Sequence, residues 1–316
     1  MTSPVAAIDC GTNSIRLLIA EIKADDQPLT DITRQMRIVR LGEGVDKTGR
    51  LSAAALTRTI AALAEYADLI AAAKPTRVRM VATSATRDAD NAREFTDRVT
   101  AVLGVAPEVI SGDEEAWLSF SGATRELAGT PLAAAGACPP PYLVTDIGGG
   151  STEFILGDPS GMRGALSVNI GCVRMTERHL RGDPPTKAEV AAATTDIDSA
   201  LDQVAAAVAV RQASTLVGLA GSVTTVAGIA LGLDDYDSDQ IHHSRISAER
   251  VHEIATRLLA TQKAERAAIP VMHPGRVDVI GAGALILDRI MTRFGFAEVL
   301  VSEHDILDGI AWSLVP

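Results

Sequence analysis

Short apolar runs bounded by glycine, proline and small polar residues alternate along the chain with longer segments whose apolar residues recur every three or four positions. That alternation is the signature of strands and amphipathic helices in an α/β protein. Residues 5–22 predict two strands around a turn at 10–14. Ser52 opens a long Ala-rich helix with Leu56, Ile60, Leu63 and Ile70 on one face, and Pro75 closes it. The pattern then predicts a buried strand over 78–83, a helix over 91–103 ended by Gly104, and a short strand over 108–110 feeding a helix that begins at Ser111. Residues 127–141, rich in Ala, Gly and Pro, predict a linker. Beyond it come strands over 142–146 and 153–157, with a glycine turn between them. A helix over 185–210 carries a capping box of Thr186 and Glu189. A strand over 216–219 runs into Ala220-Gly221-Ser222 and a helix. The chain closes with a helix over 276–294, a strand over 298–301 and a helix over 304–314.

The restart at residue 142 is an internal repeat. Asp9-Cys10-Gly11-Thr12-Asn13-Ser14 and Asp146-Ile147-Gly148-Gly149-Gly150-Ser151 both read Asp-x-Gly-x-x-Ser between apolar strands, about half the chain apart. Two similar domains are therefore expected, 1–127 and 128–303, facing each other across an active-site cleft. The last helix, about 304–316, can cross back onto the first.

Length agrees, since 316 residues are comfortable for two domains. No apolar run approaches the ~20 residues needed to span a bilayer, and no basic region precedes the first apolar stretch, so a cytoplasmic protein without a membrane partner is expected. Cys10, Cys138 and Cys172 are scattered, which argues against a disulfide scaffold or zinc site. A net charge of −11 argues against nucleic-acid binding. It does not exclude a polyanion held by a local field. Of 29 basic residues five are Lys, leaving 24 Arg, whose guanidinium forks suit phosphate.

The two turns carry the strongest chemical signal. Glycine lets backbone approach an anion closely, successive N–H groups cradle phosphate, and Ser or Thr hydroxyls add donors. Asp9, Gly11, Thr12, Asn13, Ser14, Gly148, Gly149, Gly150, Ser151 and Thr152 are the candidates. Asp146 and Glu153 flank the second turn and would make a half-site for Mg²⁺, although Glu153 also reads as an outward-facing strand residue. Glu114 and Glu115 lie in the first turn of one helix. Ser111 and Glu114 fit a capping box, which gives Glu114 a structural task. Glu115 is rotated by about 100° and left for chemistry. Spacing alone also allows an ordinary acidic first turn. Arg87 follows a loop of small residues and can clamp a phosphate or lie in solvent. Arg174 is a second candidate of that kind. Gly221 and Ser222 stand at a helix N-terminus that favours anions. His242-His243 with Arg245 can form a basic rim or a solvated loop.

Seven segments carry a family resemblance: AAIDCGTNSIRLLI, MVATSATRDADN, VISGDEEAWLSF, LVTDIGGGSTEFILG, VNIGCVRMTERHL, LVGLAGSVTTVAGI and VSEHDILDGIAWSL. In that order they resemble the exopolyphosphatase and guanosine pentaphosphate phosphohydrolase family, from Ala6 to Leu314, in its short two-domain form. The resemblance implies two actin-like (ribonuclease H-like) domains of the actin, hexokinase and heat-shock ATPase superfamily. It also implies hydrolytic release of terminal phosphate from inorganic polyphosphate, with short chains preferred, or from guanosine pentaphosphate (pppGpp) in the stringent response. It favours Glu115 as the base, Mg²⁺ at Asp146 and Glu153, a monovalent cation such as K⁺ as a second cofactor, and Arg87 at the reacting phosphate. A homodimer is expected by analogy alone. A small-molecule kinase or a non-catalytic nucleotide sensor on the same scaffold are the rivals.

Overall fold

The computed structural model describes residues 4–22, 29–125 and 127–314. They form two compact units, Met1–Gly122 with Asp305–Pro316, and Ala123–His304.

In the first unit the elements run β1 (Val5–Cys10), β2 (Ser14–Glu21), β3 (Thr30–Ile38), α1 (Val45–Thr48), α2 (Ala53–Ala73), β4 (Arg77–Ala82), α3 (Ser84–Arg87), α4 (Ala92–Leu103), β5 (Glu108–Val109) and α5 (Gly112–Thr124). The sheet order is β3-β2-β1-β4-β5, with β1 parallel to β4 and antiparallel to β2. Every residue of β1 is buried, as a central strand covered on both faces requires. Tyr66 of α2 reaches through that core to donate its hydroxyl to the Ile15 carbonyl. The Ser52 hydroxyl accepts from the Ala55 N–H at the start of α2, and Lys74 ends it in left-handed conformation, just ahead of Pro75.

The second unit contains α6 (Pro131–Ala134), β6 (Tyr142–Ile147), β7 (Thr152–Asp158), β8 (Gly161–Val168), α7 (Cys172–Arg178), α8 (Lys187–Ala207), β9 (Thr215–Leu219), α9 (Ala220–Leu231), α10 (Ser238–Ile241), β10 (Arg245–Ser247), α11 (Ala248–Ala260), α12 (Lys263–Ala267), α13 (Ile280–Phe294) and β11 (Glu298–Val301). Its sheet order is β10-β11-β9-β6-β7-β8, and β6, β9 and β11 are mutually parallel. The capping box of Thr186 and Glu189 opens α8 as its spacing predicts. No helix among the described residues is long and apolar enough to cross a membrane.

After β11 the chain returns to the first unit as α14 (Ile306–Trp312). Ile306, Leu307, Ile310 and Ala311 pack against Val5, Ala7, Leu18 and Leu118. The crossing of α5 and α14 is backbone on backbone. A Cβ on Gly309 would lie 2.0 Å from the Leu118 carbonyl oxygen, and one on Gly122 would lie 1.8 Å from that of Asp305.

Several boundaries differ from the sequence expectation. The helix expected over 276–294 starts at Ile280, because Pro274–Arg276 forms a 3-10 turn in which the His273 ring accepts from the Gly275 N–H. The last helix begins at Ile306 with Asp305 as its cap, and residues 315–316 lie outside the described residues. The expected linker over 127–141 contains the short helix α6, capped by Thr130, and buries Cys138. Strands β3 and β8 carry no apolar alternation to announce them, since each lies on a sheet edge with one row of hydrogen bonds and much of its length exposed.

Candidate active site

The two repeated turns fold alike. The Gly11 N–H donates to the Ser14 carbonyl at 2.9 Å, and the Gly148 N–H to that of Ser151 at 3.1 Å. Their carbonyls are then tied back by neighbouring backbone. In the first turn Gly42 donates to the Thr12 carbonyl, and both Val39 and Arg40 donate to that of Asn13. In the second, N–H groups of Cys172, Val173 and Arg174 serve the carbonyls of Gly148 and Gly149, and Arg174 Nε reaches that of Gly150 at 2.7 Å. The amides of Thr12, Asn13, Gly149 and Gly150 donate to no protein acceptor among the described residues. Braced carbonyls with unspent N–H groups make an anion cradle. Gly171 lets α7 close on the second turn, since a Cβ there would sit 2.4 Å from the Gly149 carbonyl.

Behind the turns the halves differ in charge. Asp9 and Arg16 stand opposite each other on β1 and β2. Arg16 binds Asp9 through Nε at 3.0 Å and Nη2 at 2.7 Å, and its Nη1 pairs with Asp305. Burial pushes the Asp9 carboxyl up against the opposing pull of Arg16. Asp9, a candidate for the phosphate site, is thus engaged by the Arg16 guanidinium. In the second half the equivalent places hold Asp146 and Glu153, opposed in register on β6 and β7 and 6% and 1% exposed. Ser167 of β8, opposite Glu153, donates its hydroxyl to Glu153 Oε1 at 2.7 Å. Two hard carboxylates in one row suit a divalent cation of the Mg²⁺ kind, which takes one or two carboxylates and completes its shell with water and substrate oxygens. No group of three or more His, Cys, Asp or Glu side chains among the described residues could hold a metal.

Glu115 and Arg87, far apart in sequence, come together. Arg87 closes the short helix α3, and its Nη1 donates to Glu115 Oε2 and to the Ile110 carbonyl, both at 3.0 Å. Glu115 is 8% exposed in the first turn of α5. The guanidinium that the sequence aims at a phosphate therefore holds the candidate base, and its Nε and Nη2 donate to no acceptor among the described residues. Glu114 behaves otherwise. Its N–H donates to the Ser111 hydroxyl at 3.2 Å, completing half of the expected capping box. Its carboxylate turns to Arg79 at 2.6 Å instead of back to the Ser111 amide. Arg79 also holds Glu108, which draws Glu114 away from chemistry.

Three further candidates have interior neighbours. The Thr152 hydroxyl is fully buried and donates to the Ile170 carbonyl, so it anchors the turn from inside. Ser222 faces the interior beside Cys172, so close to α13 that a Cβ on Gly283 would lie 2.2 Å from its hydroxyl. The Arg276 guanidinium covers Gly221. Burial raises the Cys10 and Cys172 thiols, which suits packing and not nucleophilic attack. Sequence reading missed Arg16, Asp305, Ser167 and Gly171. The signal available for Arg16 was its place in the repeat, which aligns it with Glu153.

Comparison with known proteins places this geometry. The sequence profile described as the Ppx/GppA phosphatase family matches residues 18–316. The chain belongs to that family. It is 47% identical over 98% of both chains to Exopolyphosphatase 2 of Mycobacterium tuberculosis. A crystal structure of an exopolyphosphatase-like protein superposes with a TM-score of 0.92 at 42% identity, over 99% of this chain and 97% of the other. The Aquifex aeolicus PPX-GPPA enzyme gives 0.79 at 32% identity, over 99% and 100%. The family member described here accordingly has the two-domain, actin-like α/β architecture.

Proposed function

We propose that the protein is an exopolyphosphatase that hydrolyses the terminal phosphoanhydride bond of inorganic polyphosphate with Mg²⁺. The observation that carries this reading is the pair of glycine turns, whose carbonyls are braced and whose amides at Thr12, Asn13, Gly149 and Gly150 are unspent. Phosphoryl transfer asks chiefly for positioning and neutralisation of charge, and these turns supply fixed donors for phosphate oxygens. Asp146 and Glu153 would hold the Mg²⁺, which when bound offsets negative charge on the substrate's oxygens. Ser167 fixes the Glu153 carboxylate for that purpose. Glu115 accepts a proton from the attacking water, and Arg87 aims its carboxylate while its remaining N–H groups are available to the phosphate. The similarity to Exopolyphosphatase 2 of M. tuberculosis supports polyphosphate as substrate. The test is phosphate release across long polyphosphate, tripolyphosphate, guanosine pentaphosphate, and ATP with glucose. Polyphosphate should be cleaved with the highest kcat/KM. Preference for guanosine pentaphosphate would reassign the substrate within the same chemistry, and ADP formation dependent on glucose would reassign the chemistry.

A further inference from the structure

The second glycine turn takes its brace from α7. The first turn of that helix gives the Cys172 N–H to the Gly148 carbonyl at 2.9 Å, and the Val173 and Arg174 N–H groups to that of Gly149 at 2.9 and 3.1 Å. A peptide unit is planar, so each carbonyl shares a plane with the N–H of the next residue. Fixing the carbonyls of Gly148 and Gly149 therefore also aims the amides of Gly149 and Gly150. Those two amides are the ones that donate to no protein acceptor among the described residues. The seat of α7 thus sets the direction of the cradle.

With seven residues α7 is two turns, about 10 Å long, so whatever grips its far end governs that seat. Its last residue Arg178 and its cap His179 both reach α8. Arg178 Nη1 donates to Asp196 Oδ2 at 2.7 Å, and His179 Nε2 lies 2.8 Å from the same oxygen. Burial works to raise the Asp196 carboxyl, but the hydrogen bonds from His179 and Arg178 outweigh it and hold it below the usual carboxylate range. The ionised oxygen can only accept, so Nε2 of His179 carries the proton. Glu189, seven positions before Asp196 and hence on the same face of α8, takes the N–H groups of Arg181 at 3.2 Å and Gly182 at 3.1 Å. Two carboxylates of one helix therefore hold the chain where it leaves α7. The helix that carries them is seated by buried Ala193, Ile197, Ala200, Leu201 and Val204.

Resting on the polyphosphate reading above, we infer that Asp196 is a positioning residue for substrate binding. By holding Arg178 and His179 it fixes the far end of α7, and α7 in turn aims the Gly149 and Gly150 amides at phosphate oxygens. Asp196 itself touches no substrate. Its removal leaves every cradle residue in place and loosens only the helix that orients them.

The variants are Asp196→Ala, His179→Ala and His179→Gln, whose amide nitrogen can replace the ring donor. Asp198→Ala is the control, since Asp198 lies two residues along α8 but pairs with Arg289 of α13 at 2.9 and 3.0 Å. Thermal melts verify folding, and the His179 pair carries the comparison should Asp196→Ala not fold. With tripolyphosphate as substrate, KM should rise by about three- to tenfold in Asp196→Ala and by about threefold in His179→Ala. His179→Gln and Asp198→Ala should stay near the wild-type KM. In all four kcat should change by less than about twofold, because Glu115 and Arg87 belong to the other unit. Amide exchange on substrate-free protein reads the brace without activity. The N–H groups of Cys172, Val173 and Arg174 should exchange at least about threefold faster in Asp196→Ala than in Asp198→Ala. An unmoved KM with unmoved exchange in Asp196→Ala and His179→Ala, or the same KM rise in Asp198→Ala, would overturn the inference. Wild-type protein that releases no phosphate, while exchange at these amides still answers to Asp196→Ala, would instead sink the enzymatic reading and leave the brace standing.

Discussion

At the scale of single residues, the structure separates side chains that sequence spacing could only group. Glu114 and Glu115 are neighbours in one helical turn, yet Arg79 takes the first and Arg87 the second. The capping signature hinted at the difference, but the partners come from β4 and α3, which no local pattern reveals. Asp146 and Glu153 were legible because the repeat and the hairpin register together face them across two strands. Asp146→Asn and Glu153→Gln should each raise the Mg²⁺ concentration needed for half-maximal activity by about tenfold or more, as loss of a ligand or its charge does. Unaltered Mg²⁺ dependence in both would remove them from the metal's shell. Thr145 offers a test of a different kind. Its hydroxyl is fully buried and has no hydrogen-bond partner among the described residues. Thr145→Val should stabilise the protein by about 1 kcal/mol in urea unfolding, since it deletes an unmet polar group. Destabilisation would reveal a partner for that hydroxyl.

At the scale of elements, the central strands and capped helices were readable because local sequence decides them. The apolar run Tyr142-Leu143-Val144 starts β6, and Thr186 with Glu189 starts α8. Edge strands β3 and β8 escaped because burial on one side only leaves no periodic trace. The role of α14 lies in contacts nearly 300 positions away in sequence, where Arg16 pairs with Asp305. Arg16→Met would leave Asp9 and Asp305, 4% and 3% exposed, without their shared cation. The expected loss is about 3–5 kcal/mol, the usual penalty for breaking a buried pair from one side. Equilibrium unfolding measures it. A change below about 1 kcal/mol, the level of a surface ion pair, would show that the triad contributes little.

At the scale of the whole molecule, the duplicated hairpin gave away the two-unit architecture, whereas the division of labour between the copies needed coordinates. One copy neutralises its aspartate with Arg16, and the other leaves two carboxylates in a row. Charge also shapes the response to acid. Asp158 is held below the usual carboxylate range by hydrogen bonds from Ser160, Glu189 by those from Thr186, and Asp237 by those from Gln240. Burial works to raise Asp196, but His179 and Arg178 outweigh it, and it too is lowered. A lowered folded-state pKa contributes stability above the unfolded value, near 4, that is lost as pH falls through the folded value. Asp9, raised by burial, acts in the opposite sense and is outnumbered. The melting temperature should therefore drop as pH falls from about 5 to about 3, read by calorimetry, and a flat profile would contradict these assignments.

In the proposed reaction Glu115, aimed by Arg87, takes the proton from water attacking a bound polyphosphate end. Glu115→Gln retains shape and hydrogen bonding while removing basicity. The decisive measurement is steady-state phosphate release from polyphosphate by this variant, beside Glu114→Gln and the wild type. In Glu115→Gln kcat should fall by about 10²–10⁴-fold, with KM nearly unchanged, while Glu114→Gln turns over close to the wild-type rate. Wild-type turnover in Glu115→Gln, or the larger loss in Glu114→Gln, would contradict it.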